Sequence, residues 1–160
     1  MYNGNMKGKD APQNIIVWEN PRFEIRIPRE PHIDAQDGGH VVIYPKARVS
    51  YTWQLAKRDR KELIDLEAAC ERAMLDALPA DHVNIQRNGN WFFLLRPRAK
   101  KGTGPHLHVH IYGRSKTSRR QPWGQALKFP DPKTGWLKRI SPMDKKQITA
   151  FSRRLRKLLA

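Results

Sequence analysis

The sequence predicts one domain that mixes short β-strands with two amphipathic helices, and three observations carry that expectation. His106-Leu107-His108-Val109-His110-Ile111-Tyr112 alternates strictly, which is the period of a strand whose successive side chains face opposite ways. Arg22 to Ile27 alternates in the same way behind the apolar run Asn14–Trp18, with Glu19-Asn20-Pro21 between them, the pattern of an antiparallel hairpin. Asp59 to Leu78 then changes period. Leu63, Leu66, Cys70, Ala73, Met74 and Ala77 fall on one helical face, away from the charged residues.

The chain is 160 residues long, a length that suits a single core, and 39% of it is hydrophobic with five tryptophans. Cys70 is the only cysteine, so no internal disulfide is expected, and a reducing cytoplasm fits. Met1 to Gln13 reads as a polar, flexible leader without the apolar stretch of a signal peptide. No segment has the length or apolarity needed to span a membrane.

After the hairpin, Pro28 to Gly39 reads as a loop ending in Asp37-Gly38-Gly39. His40 to Tyr44 is a β-branched strand stopped by Pro45, and Arg48 to Trp53 continues as a short extended segment. The helix of Asp59–Leu78 begins at an apparent capping box, Asp59 with Glu62, and ends before Pro79. Val83 to Arg87 is a strand, Asn88-Gly89 a turn, and Trp91 to Leu95 a buried strand. Arg96 to Gly104 is a basic loop leading into the histidine strand. Beyond Gly113 comes an irregular stretch and then a second helix. Ser141 stands at its N-cap, Pro142 in the first turn and Asp144 at the capping-box position, with Ile148, Phe151, Leu155, Leu158 and Leu159 as its apolar stripe.

Charge divides the chain. Residues 1–112 hold 17 Lys/Arg against 13 Asp/Glu, a net of +4, whereas residues 113–160 hold 14 against 2, a net of +12. Most of the overall +16 therefore follows the histidine strand, and such a field favours polyanions, either a nucleotide polyphosphate or a nucleic acid. A solvated basic surface without a specific partner has the same composition.

His106, His108 and His110 on one strand face make a site candidate, because imidazole serves as nucleophile, acid, base or metal ligand near neutral pH. On a strand rising about 3.3 Å per residue, His106 and His110 lie about 13 Å apart, too far to share one ion easily. A metal would be chelated by His106 with His108, or His108 with His110. Further ligands would come from His32, His40, His82, Cys70 or a carboxylate, none of which has paired spacing.

The His-φ-His-φ-His-φ-φ run, with φ apolar and Tyr112 as its last position, resembles the signature of the histidine triad superfamily of nucleotide hydrolases and transferases. Gly39-His40-Val41-Val42-Ile43-Tyr44-Pro45-Lys46 is similar to the family's upstream strand, and the order of elements agrees over about residues 14–114. The resemblance implies an α+β fold around an antiparallel sheet, with residues 115–160 as a basic C-terminal extension packed on the same domain. It implies His108 as the nucleophile that attacks the α-phosphorus, forming a nucleotidyl-histidine that water resolves. His106 and His110 would donate to phosphate oxygens, and His110 would serve the leaving group as acid. His40 matches a supporting fourth histidine, and Thr103 and Asn88 match phosphate-contacting positions. The implied substrate is a purine nucleotide ester of AMP or GMP type, a dinucleoside polyphosphate or a nucleoside phosphoramidate. No cofactor, metal or membrane is implied, and relatives are commonly homodimers. The alternative is a protein that binds nucleic acid non-specifically through its basic tail, or processes nucleic-acid ends. Arg48 stands where many relatives have a histidine and Gly102 where they have glutamine. Glu30 and Asp34 are the nearest candidates for the acidic residue that relatives place on the ribose.

Overall fold

The computed structural model describes residues 14–98 and 104–160. The leader and Thr103 therefore lie outside the described residues. Five antiparallel strands form one sheet in the order β1-β2-β3-β5-β4, comprising β1 (Ile15–Glu19), β2 (Phe23–Ile27), β3 (His40–Pro45), β4 (His82–Gln86) and β5 (Val109–Arg114). Three helices accompany it: α1 (Lys57–Ala77), the short α2 (Trp91–Leu95) and α3 (Lys145–Leu159). This is the α+β architecture expected of the sequence. Among the described residues, no helix is long and apolar enough to cross a membrane.

Alternation assigns the two faces of the sheet. Phe23, Ile25, Val41, Ile43, Val109 and Ile111 are buried and share one core with Leu63, Leu66 and Cys70 of α1. Phe151 and Leu155 of α3 complete that core at 0% exposure, so both helices cover this side. Burying a side chain of this size stabilises the fold by roughly 1.5–3 kcal/mol. The opposite face carries His40, Val42 and Tyr44 of β3 next to His110 and Tyr112 of β5, with Val42 paired to His110 and His40 to Tyr112.

Four local expectations are corrected. Trp91–Leu95 is a short, largely exposed helix, not a buried strand. An apolar run without alternation suits either state. Here the backbone is satisfied locally, by Phe92 N–H on Gly89 O and Phe93 N–H on Asn90 O. Arg48–Trp53 forms no strand and runs into a 3-10 turn at Thr52–Gln54. Asp59 and Glu62 do not cap α1, whose N-cap position is Ala56. Both carboxylates are taken by the Arg22 guanidinium, and Glu62 also accepts from the Asn20 amide at 2.6 Å. The capping box of α3 is Asp144 with Gln147, three residues past Ser141.

The loop before β3 is seated by a close backbone approach. Gly38 has φ +109°, and a Cβ on Gly113 would stand 2.3 Å from Gly38 O. Only glycine at position 113 permits this contact, which holds residues 28–39 against the end of β5. From β5 the chain crosses the histidine-bearing face. Arg120 pairs with Asp34 at 2.9 Å, Ser118 Oγ donates to Asp37 at 2.7 Å, and the Phe129 ring lies 5.1 Å from that of Tyr112. The chain then passes to the far side, where α3 packs on α1 and Arg154 pairs with Asp76 at 2.6 Å.

Candidate active site

The hydrogen-bonded ladder of β5 begins only at Val109, yet the alternation holds from His106 onward, because Leu107 N–H donates to Val49 O at 2.7 Å. Leu107 is therefore buried, while His106 and His108 stay half-buried at the rim of a cavity of about 270 Å³. Ser50, Tyr51, Arg87 and Phe93 contribute to the walls of that cavity. The Tyr44 ring stacks against His108, with centroids 5.4 Å apart.

Hydrogen bonds assign a tautomer to each imidazole. His108 Nδ1 donates to the carbonyl of His106 at 2.7 Å, so the neutral ring keeps a lone pair on Nε2. His110 is set the opposite way. The His32 backbone N–H donates to His40 Nδ1 at 3.2 Å, so the hydrogen of His40 is on Nε2. That atom donates to His110 Nδ1 at 2.8 Å, so His110 carries its own hydrogen on Nε2. Two histidines one strand step apart thus present a base and a donor. Their rings meet edge to face with centroids 4.6 Å apart.

Burial keeps these rings neutral. It holds the pKa of His110 down at about 2 and that of His32 at about 4, with neighbouring histidines adding to both shifts. His40 is pushed well below the ordinary range, again chiefly by burial. His108 is lowered by burial, partly offset by its bond to the His106 carbonyl.

His106 is engaged elsewhere. Its Nε2 lies 2.8 Å from Pro45 O and 3.1 Å from Ala47 O, which leaves only Nδ1 for a ligand. Ring nitrogens of His32, His40 and His110 lie within 4.8 Å of one another, close enough to consider a cation. The hydrogen-bond order opposes one, because the His40 nitrogen facing the cluster carries its hydrogen as long as His32 N–H occupies the other. The pair His106–His108 differs, because the backbone carbonyls that hold His106 Nε2 and His108 Nδ1 leave His106 Nδ1 and His108 Nε2 as the nitrogens with free lone pairs.

No protein-family model and no curated protein matches the sequence. Solved structures do. A histidine triad protein of Bradyrhizobium japonicum superposes with a TM-score of 0.60 at 17% identity, covering 92% of this chain and 91% of that one. A hypothetical histidine triad nucleotide-binding protein of Sulfolobus tokodaii gives 0.55 at 17% identity, over 92% and 84%. The chain has the histidine triad fold. A uridylyltransferase shares the fold over 90% of this chain and 40% of its own, with a TM-score of 0.51 at 18% identity.

Within the triad fold, His40, His108 and His110 converge, and His106 anchors the approach to β5. Asn88 reaches the cluster only through Tyr112, whose Oη accepts from its amide at 3.1 Å. Asn88 is absent from the wall of the cavity beside His108. Asp34 is committed to Arg120 and to the Ser141 N–H at 2.8 Å, and Glu30 is exposed. Asp34 lines a cavity of about 480 Å³ together with His32, Phe129 and Trp136.

Sequence reasoning offered His32 only as one of several further metal ligands and did not place it against His40 and His110. Its ring lies 4.6 Å from His40 and 5.1 Å from His110 by centroids, and its Nδ1 is 2.7 Å from Tyr112 Oη. Trp91 and Phe129 close over it at 5.1 and 5.2 Å. The one available signal was its place eight residues before His40, which a loop conformation alone converts into contact.

Proposed function

We propose that this triad protein is a nucleotidyl hydrolase or transferase that works through a covalent intermediate on His108. The observation that carries the proposal is the 2.7 Å bond from His108 Nδ1 to the His106 carbonyl, which leaves Nε2 unprotonated and aimed by its backbone. Nε2 attacks the α-phosphorus of a dinucleoside polyphosphate or nucleoside phosphoramidate, a phosphorus–nitrogen bond forms, and the bond to the leaving atom breaks. The Nε2–H of His110 hydrogen-bonds to that atom. His110 is neutral, so it stabilises the departing atom through this hydrogen bond without giving up its hydrogen; an amine leaving group takes its proton from solvent, and the attacking water returns one to solvent. Water then cleaves the phosphorus–nitrogen bond and releases a nucleoside monophosphate.

The nucleotide-binding and uridylyltransferase names among structures of this fold support a nucleotide substrate. The single cysteine fits an enzyme of the reducing cytoplasm. The alternative, nucleic-acid binding or end processing through the basic tail, is less favoured for the part of the tail in α3, which lies across the sheet from the histidines, while the stretch with Arg120 crosses their face.

The test is mass spectrometry of enzyme quenched during turnover with a dinucleoside polyphosphate. An acid-labile nucleotidyl adduct is expected on the peptide holding His108. His108→Ala should lose both adduct and turnover, by several orders of magnitude in rate, while its fold is retained. An active His108→Ala variant would end the proposal.

A further inference from the structure

We infer that the exposed ring pair Tyr51–Trp53, beside the cavity of His106 and His108, is a stacking step for single-stranded nucleic acid. The two rings are parallel to within 9°, with centroids 6.3 Å apart. They are 52% and 73% exposed, although a protein has every reason to bury rings of this size. Tyr51 also lines the cavity, with Phe93, itself 48% exposed, in the same wall set. A base entering the cavity therefore meets an aromatic surface, and the next base outward meets Trp53.

Charge selects the occupant. Residues 46–58 contain Lys46, Arg48, Lys57 and Arg58 and no carboxylate, and all four are exposed; Lys46 is paired with Glu19 at 2.6 Å, so the positive field here is that of Arg48, Lys57 and Arg58. A protein partner, or a second copy of this chain, would favour a surface whose centre is depleted of charge. Stacked open rings flanked by cations are what an unpaired polynucleotide uses, its bases on the rings and its phosphates on the cations. Paired bases of a duplex cannot reach the rings without unstacking. The cations of α3 do not share this surface, since that helix covers the other side of the sheet. The step's place beside His108 rests on the function proposed above and would make an oligonucleotide end part of the substrate, whereas the binding itself does not depend on catalysis.

The experiment measures fluorescence anisotropy of labelled homopyrimidine DNA and RNA strands, and of a duplex of equal length, on the full chain carrying His108→Ala. Binding is thereby read without turnover, and failure of the covalent mechanism leaves the result intact. Strands should bind more tightly than duplex, and Trp53→Ala should weaken strand binding about tenfold or more. Trp53→Phe should restore most of the loss, and adding Tyr51→Ala should deepen it. A difference between the DNA and RNA arms would identify the natural strand. Absent strand binding, or strand binding indifferent to Trp53→Ala, would overturn the inference. So would a Trp53→Ala variant that changes only its sedimentation, from dimer to monomer, which would assign the rings to a second copy.

Discussion

Nε2 of His40 stands 2.8 Å from Nδ1 of His110, and the hydrogen between them belongs to His40. The assignment comes from outside the pair, through the His32 backbone N–H on the far side of the His40 ring. His40 is thus a positioning residue that decides which face of His110 can donate. His40→Leu should lower kcat by about a hundredfold, the cost of a misplaced catalytic group, with KM little changed. His40→Gln, which can offer an amide hydrogen to His110, should recover part of the rate. Equal loss in both variants would reduce His40 to a packing role.

The donor role of His110 is read from leaving groups. Its Nε2–H matters most where the departing atom gathers the most charge. His110→Ala should therefore slow release of an alkylamine more than release of a nitrophenolate from the same nucleotide. A uniform loss across the series would move His110 from the leaving group to the non-bridging phosphate oxygens.

Stability should fall with acid in a defined window. His32 and His110 have folded-state pKa values of about 4 and about 2, against 6.5 for the open chain. Below pH 6.5 the unfolded chain takes up protons that the folded chain refuses, so stability is full above that pH and is lost as pH falls toward the folded values. Each ring contributes up to about 1.4 kcal/mol per pH unit in its window. Thermal unfolding from pH 7.5 to 4.5 should show a steep decline starting near 6.5. His32→Gln should flatten the decline, even though losing the Tyr112 contact lowers the starting Tm. An unchanged slope in that variant would show that His32 is protonated in the native state.

The basic end of α3 should be nearly silent in catalysis. Arg154 is paired with Asp76, and Arg156 donates to Val17 O at 3.3 Å, both on the face away from the histidines. Replacing Arg153, Arg154, Arg156 and Lys157 by Gln preserves helix propensity. At 0.1 M salt, where screening acts over about 10 Å, kcat/KM for a polyphosphate should be little changed. A large drop that vanishes at high salt would restore electrostatic steering by the tail.

What the sequence made legible is whatever repeats along it. The alternation of the histidine strand announced that His106, His108 and His110 share a face, whereas His40 joined them only through the resemblance to the triad family, and the pairing of β3 with β5 sets it beside His110. The paired Asp144 and Gln147 show the limit, because Ser141, Pro142 and Asp144 all carry helix-start chemistry and only packing chooses among them. Trp91–Leu95 has no period at all, and its helix follows from local turns after Asn88. Least legible are contacts made by backbone across the fold. Neither the capture of His106 by Pro45 O nor the orientation of His40 by the His32 N–H leaves a mark on residue type.

The burial of Phe151 and Leu155 has a consequence for how this chain can be dissected. A protein cut after Arg114, to isolate the segment that resembles the minimal triad domain, would open the underside of α1 and β1 to water. It would also remove Phe129 and Trp136, two of the rings around His32. Such a fragment would lose activity through collapse of its scaffold, and the loss would be mistaken for a catalytic duty of the extension. Deletion is therefore uninformative here, and point changes at exposed positions are the only clean way to ask what the basic C-terminal residues do.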